Sequence, residues 1–156
     1  MEGTITALYR FTEKGKPGEA LKEAYLIKNV GMEGDRHADG GEKQLTLLSG
    51  EARGWMQVQE TPGLCFKRYK ANLEIEGLAV SNLRPGMCLQ AGTARLTVTE
   101  CAKECFPGCQ LRENGTPCRL LSGGIYLKVA ESGTVKAGDP IFILLPEMKC
   151  ESIKFE

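Results

Sequence analysis

The chain has 156 residues, 42% of them hydrophobic and 26% charged, a composition typical of one globular domain. Its 20 basic and 20 acidic side chains cancel, so overall charge gives no reason to expect a nucleic acid or an anionic membrane as a partner. The N-terminal segment does not resemble a secretory signal, and the apolar run at 141–145 is far shorter than the roughly 20 residues of a membrane span. These features predict a cytoplasmic protein.

Short alternating segments separated by glycines predict a mainly β fold. Residues 3–10 are typical of a half-buried strand, although Leu8 interrupts the alternation. Further strands are predicted at 24–30, 44–48, 71–78, 94–100 and 139–145. A helix is predicted to begin after Ser49 as its N-cap, and residues 124–132 fit either a helical turn or a strand. Many short strands with few helices favour a β-barrel or a β-sandwich.

Glycines and polar residues mark the turns and the end of the predicted domain. In R-P-G-M, residues 84–87, proline fixes one φ and Gly86 can adopt a positive one, which predicts a type II turn. We predict one β domain over residues 1–146 and a polar tail over residues 147–156.

The chain has seven cysteines, and three of them lie within C-A-K-E-C-F-P-G-C at 101–109. In a reducing compartment such a cluster indicates metal binding or thiol chemistry rather than disulfides. A zinc or iron–sulfur site would rely on cysteine ligands, because the chain has one histidine, but the spacing lacks paired tight knuckles. The candidate ligands are Cys101, Cys105, Cys109 and Cys118. The reactive-thiol alternative rests on Lys103, a nearby cation that favours a thiolate at Cys105.

Two polar stretches are candidate anion sites. In G-M-E-G-D-R-H-A-D-G-G-E-K-Q, residues 31–44, glycine-rich backbone can present N–H groups to an anion, and Arg36 can hold a phosphate or carboxylate. Asp35 can orient Arg36 or His37; the alternative is a polar hairpin loop with a structural Asp–Arg pair. In F-K-R-Y-K-A-N-L, residues 66–73, the lysines and arginine form either a solvated strand end or an anion site to which Asn72 adds an amide.

Four stretches in this order resemble the MOSC family, the domain named for the C-terminal part of molybdenum cofactor sulfurase. They are the loop at 31–44, Y-K-A-N-L-E-I-E-G-L, R-L-T-V-T-E-C-A-K-E-C-F-P-G-C, and G-G-I-Y-L-K-V-A-E-S-G-T-V-K-A-G-D-P-I. The resemblance covers residues 3–143 and is to the small stand-alone bacterial type. It implies a mainly β protein with a largely antiparallel barrel and a few short helices.

The resemblance also implies sulfur handling linked to the molybdenum cofactor, in which a pocket cysteine carries a persulfide or ligates molybdenum. By position Cys105 is the first candidate for both roles, and Cys109 is the second. Phe106 stands where small members often have a histidine, which removes a proton donor, and Ala71 stands where the family has an acidic residue. The implied cofactor-binding residues are Asp35, Arg36, His37, Lys70, Asn72 and Lys103.

The implied partners are a cysteine desulfurase or other sulfur donor, and the molybdenum cofactor or a molybdoenzyme as the sulfur acceptor. Pyridoxal phosphate is expected only on the separate donor, because this chain has no room for a desulfurase domain. In this version the protein is a sulfurtransferase that acts through a cysteine persulfide. Two alternatives stay open: a non-catalytic molybdenum cofactor carrier, and a cysteine-only zinc or iron–sulfur protein.

Overall fold

The structure is a computed structural model that describes residues 2–60, 71–101, 109, 118–119 and 123–145. The strands are β1 (Glu2–Arg10), β2 (Glu19–Leu21), β3 (Glu23–Ile27), β4 (Gly31–Met32), β5 (Leu45–Ser49), β6 (Leu73–Glu76), β7 (Cys88–Ala91), β8 (Ala94–Glu100), β9 (Gly124–Glu131), β10 (Gly133–Lys136) and β11 (Pro140–Ile143). The helices are α1 (Gly50–Gln57) and a 3-10 turn at Val80–Asn82. Several predicted features lie outside the described residues: Lys70, Lys103, Cys105, Phe106 and the tail 147–156.

Seven of the described strands close into a barrel. Their order around the ring is β1, β11, β7, β8, β9, β5 and β6, and β6 pairs with β1 again. Every neighbouring pair is antiparallel except β5 and β6, which run parallel. The predicted barrel is therefore confirmed, with the refinement that it is mixed. Strand β2 extends β1 beyond the ring, and β10, β3 and β4 form a separate sheet.

Buried aliphatic side chains fill the barrel. Each fully buried leucine or isoleucine contributes about 1.5–3 kcal/mol through loss of apolar surface to water. The largest such residues in the barrel core include Ile5, Leu45, Leu47, Leu73, Leu96 and Leu127. A second cluster, built on Leu48, Ala52, Met56 and Ala71, packs α1 against the barrel wall. The core thus holds both the barrel and its one α-helix within the described residues.

A bulge in β1 explains why Leu8 interrupts the sequence alternation. Ile5 faces Ile75 across the pair of strands, but the register then shifts, so that Ala7 faces Glu74 and Leu8 faces Leu73. The extra residue reverses the side on which the following side chains lie. Ile5 and Leu8 are therefore both buried in the core.

Local signals identified other elements correctly. Ser49 is the N-cap of α1, with its Oγ accepting a hydrogen bond from the Ala52 amide at 3.1 Å. Gly86 has a φ of 91°, and the Met87 amide donates to the Arg84 carbonyl, as the predicted turn requires. Residues 124–131 form a strand rather than a helical turn. Among the described residues, no helix is long and apolar enough to cross a membrane.

Candidate functional site

The aspartate and the asparagine predicted from two separate motifs meet in the structure. Asn72 Nδ2 donates to Asp35 Oδ1 at 3.1 Å across 37 residues of sequence. Asp35 Oδ1 also accepts from the Phe11 amide at 2.7 Å, and Oδ2 accepts from the His37 amide at 3.0 Å. The Asp35 side chain has no exposed surface. This carboxylate therefore ties the loop at residues 34–41, here called the Asp35 loop, to the end of β1.

Asn72 connects the Asp35 loop to two barrel strands. Its Oδ1 accepts from the Thr46 amide at 3.1 Å, and its Nδ2 donates to the Tyr9 carbonyl as well as to Asp35. The residue is fully buried. Because its amide oxygen and both amide hydrogens are engaged inside the protein, Asn72 holds the loop in position. Direct contact of Asn72 or Asp35 with a cofactor stays a prediction.

Asp35 remains ionised in this setting. Burial by itself raises the pKa of a carboxyl group, but hydrogen bonds from the His37 side chain and from the Phe11 and His37 amides outweigh it. The pKa of Asp35 is therefore lowered below its usual value of 3.8. A buried negative charge thus faces the only histidine in the chain.

His37 is oriented by that charge. Its Nδ1 lies 3.1 Å from Asp35 Oδ2, and its side chain is 32% exposed. With an ionised acceptor, Nδ1 carries the proton toward Asp35, which leaves Nε2 as the ring nitrogen that Asp35 does not engage. The pair is thus an oriented imidazole at the edge of the barrel.

Arg36 does not form the predicted structural pair with Asp35. Its backbone amide donates to the Phe11 carbonyl at 2.7 Å, and the residue is exposed. Within the described part of the chain, its guanidinium makes no ion pair or hydrogen bond. The interpretation of the loop as an Asp–Arg hairpin is therefore wrong: the short turn places His37, not Arg36, beside the carboxylate.

The loop backbone is not available to an anion, contrary to the prediction from its glycines. Every amide from residue 35 to residue 41 donates a hydrogen bond within the protein. Gly34 and Gly40 have positive φ angles of 83° and 80°, so their role is to turn the chain. A Cβ on Gly34 would also lie 3.0 Å from the Arg10 Cδ atom. Only side chains of this loop can meet a ligand.

Comparison with known proteins assigns the chain to a family. The model of the MOSC domain matches residues 34–142, which is more than half of the sequence. The chain belongs to the MOSC family. Comparison with curated protein sequences gives no match.

Three solved structures share the fold of this MOSC protein. The YuaD protein of Bacillus subtilis is 18% identical, with a TM-score of 0.65 over 90% of this chain and 94% of that chain. YiiM of Geobacillus stearothermophilus is 17% identical, with a TM-score of 0.62 over 96% and 79%. YiiM of Escherichia coli is 19% identical, with a TM-score of 0.58 over 97% and 73%. At these identities the likeness supports the fold alone.

The described cysteines of the MOSC protein are all free thiols. They are Cys88, Cys101, Cys109 and Cys118. Cys101 Sγ donates to the Leu83 carbonyl at 3.0 Å, and burial raises the pKa of Cys101, with a smaller opposing effect from Arg84. Since a metal ligand must be a thiolate, Cys101 is poorly suited to ligate a metal.

The zinc or iron–sulfur alternative loses further support from the positions of the other thiols. Three of its four proposed ligands, Cys101, Cys109 and Cys118, lie among the described residues, and no group of three metal-binding side chains occurs there. Cys109 is buried and Cys118 is half-buried. Cys105, the first candidate for thiol chemistry, lies outside the described residues, and its role stays a prediction.

Lys43 is a cation that the sequence did not single out. Its Nζ lies 4.9 Å from the centre of the Tyr126 ring and 3.6 Å from Glu100 Oε2, directly before Cys101. Tyr126 also pairs with Thr46, whose amide contacts Asn72. Strand pairing thus places Lys43 between the Asp35 network and the start of the cysteine cluster. Local sequence carries no signal for this placement.

A cleft of about 510 Å³ opens at the start of α1, away from the predicted residues. Arg119 Nη1 pairs with Glu51 Oε1 at its edge, at 2.5 Å. The other lining residues belong mainly to the N-terminus of α1 and to the segment from Ile75 to Ser81. No predicted site residue lines this cleft.

Proposed function

We propose that this MOSC protein handles sulfur for the molybdenum cofactor, with Cys105 carrying persulfide sulfur or ligating molybdenum and Cys109 as the second candidate. The observation that carries the proposal is the MOSC match over residues 34–142. That range contains the Asp35 loop, Asn72 and the whole cysteine cluster. The protonated, hydrogen-bonded state of Cys101 supports a choice among the later cysteines.

The described side chains fit an anionic, sulfur-rich cofactor at one place. Arg36 offers a guanidinium that engages no other described residue, and His37 offers a ring nitrogen at the surface. We assign both, with Lys70 and Lys103, to the cofactor's negative charge, and Asp35 and Asn72 to holding the loop. When bound, the cofactor supplies a molybdenum centre whose soft character suits a thiolate ligand.

In the proposed reaction, Cys105 acts as a thiolate nucleophile. It attacks the outer sulfur of a persulfide on a separate donor such as a cysteine desulfurase. A new S–S bond forms at Cys105 as the donor's S–S bond breaks, and the donor leaves as a thiolate, without net oxidation. The acceptor is the molybdenum cofactor or a molybdoenzyme, pyridoxal phosphate stays on the donor, and the setting is the reducing cytoplasm.

Mass spectrometry after sulfur loading tests this proposal. The wild-type chain, incubated with a cysteine desulfurase and cysteine, is expected to gain the mass of one sulfur atom, and Cys105→Ser is expected to gain none. Cys101→Ser is the matched control, because its hydroxyl can still donate to the Leu83 carbonyl and loading should persist.

Other outcomes of the same experiment are equally informative. A full adduct in Cys105→Ser would transfer the role to Cys109 or Cys118. No adduct on the wild type would reject the sulfurtransferase. If that protein nevertheless carried molybdenum and pterin fluorescence, the non-catalytic carrier would be supported.

A further inference from the structure

We infer that the Asp35 loop binds the phosphate group of a small phosphate monoester through the side chains of Arg36 and His37, with uptake of a proton by His37. The inference rests on the proposed function only for the chemical class of the ligand. It specifies which group of that ligand this loop holds and adds a proton to the binding equilibrium.

The first argument is which donors remain. The amides of residues 35–41 are all used inside the protein, so an anion must be held by side chains. Arg36 is exposed, and its guanidinium engages no other described residue. Its planar fork can donate two parallel hydrogen bonds to two phosphate oxygens. Arg36 is therefore the primary contact.

The second argument concerns the proton on His37. In the neutral ring, Nδ1–H faces Asp35, so Nε2 carries a lone pair and cannot donate to a phosphate dianion. Once protonated, the ring keeps its bond to Asp35 and gains a donor at Nε2. The dianion therefore binds the protonated ring better, and binding must draw a proton from solution.

Other charged groups near the loop are few and mostly engaged. Arg10 of β1 packs against Gly34 but is committed to the Glu33 carbonyl and to the Glu19 carboxylate. Asp39 accepts a hydrogen bond from the Gly41 amide. Asp35 holds His37, and Arg36 adds the free positive charge. Proton uptake is therefore assigned to His37.

The third argument is that the loop is already ordered. Asp35 ties it to the Phe11 amide and to Asn72, while the Phe11 carbonyl accepts from the Arg36 amide. A loop that is fixed before binding loses little conformational freedom when the ligand arrives. A weak, two-residue contact can therefore bind measurably.

Isothermal titration calorimetry tests the inference with two probes, inorganic phosphate and glycerol phosphate. Titrations at one pH, in buffers that differ in ionisation enthalpy, give the number of protons taken up. We expect glycerol phosphate to bind with proton uptake. Arg36→Gln should weaken binding by about 10- to 100-fold, the range of a lost charge-assisted contact. His37→Gln should bind more weakly and without proton uptake.

Lys14→Gln is the matched control, because it removes one exposed positive charge from a different loop. It should bind like the wild type. Binding in Arg36→Gln and His37→Gln that equals the control would overturn the inference. So would proton uptake that persists in His37→Gln, or binding of inorganic phosphate without glycerol phosphate.

Nitrogen NMR of the single histidine provides a readout that a purely structural role would not satisfy. The neutral ring should be the Nδ1–H tautomer, and the Nε2–H tautomer would contradict the argument. Neither measurement involves sulfur. Failure of sulfur loading at Cys105 with intact phosphate binding would therefore reject the sulfurtransferase alone, and the reverse result would reject only the phosphate site.

Discussion

Asp35→Ala is expected to lower the free energy of unfolding by about 3–5 kcal/mol. The substitution leaves the Phe11 amide, the His37 amide and Asn72 Nδ2 without their common acceptor. Unsatisfied buried donors cost about 1–3 kcal/mol each, less whatever water can recover. Urea unfolding followed by the fluorescence of Trp55, the only tryptophan, measures the loss.

Asp39→Ala is the control from the same loop. Asp39 is exposed and accepts one hydrogen bond, from the Gly41 amide at 2.9 Å. Its removal should cost less than about 1 kcal/mol. Equal losses for the two variants would show that the buried network contributes no more than an ordinary turn.

The contribution of Asp35 should also depend on pH. Its folded pKa lies below the unfolded value of about 3.8, so its stabilisation is fully present above that value and is lost as the pH falls through the folded pKa. The stability difference between the wild type and Asp35→Asn should therefore shrink below about pH 3.8. A difference that grows in acid would contradict the assignment of an ionised carboxylate.

Gly123→Ala is expected to destabilise the protein by about 1–3 kcal/mol, the usual cost of overpacking. A Cβ at this position would overlap the Ala52 Cβ and would lie 2.8 Å from Ser49 Oγ. Ala52 is buried in α1, and Ser49 is the N-cap of that helix, so neither can move freely. Thermal and urea unfolding will measure the change.

Two controls separate this clash from a general effect of replacing glycine. Gly54 lies in α1, and a methyl group added there would meet no atom within 4 Å, so Gly54→Ala should stabilise the protein by about 0.5–1 kcal/mol. Ala52→Gly removes the nearest obstacle, and Gly123→Ala should cost less in that background. Strict additivity of the two substitutions would exclude the contact as the cause.

The candidate site shows how far sequence motifs carry. Asp35 and Asn72 were each predicted as site residues, but their contact was not, because it depends on strands that pair across 37 residues. The choice of His37 over Arg36 as the partner of Asp35 depends on the turn that the Phe11 and Met32 carbonyls impose. Phe11 contributes only backbone groups here, so its side chain carries no signal of this role.

Short-range pattern alone was enough for the β character, the cap at Ser49 and the turn at Gly86, because each depends on a few adjacent residues and their φ preferences. The same pattern left β2, β4, β7 and β10 unpredicted, since these short strands are defined by their partners. The parallel pairing of β5 with β6, the bulge that buries Leu8 and the occupied amides of the Asp35 loop arise only on barrel closure. Closure sets register between distant segments, and register decides which polar groups are left for a ligand.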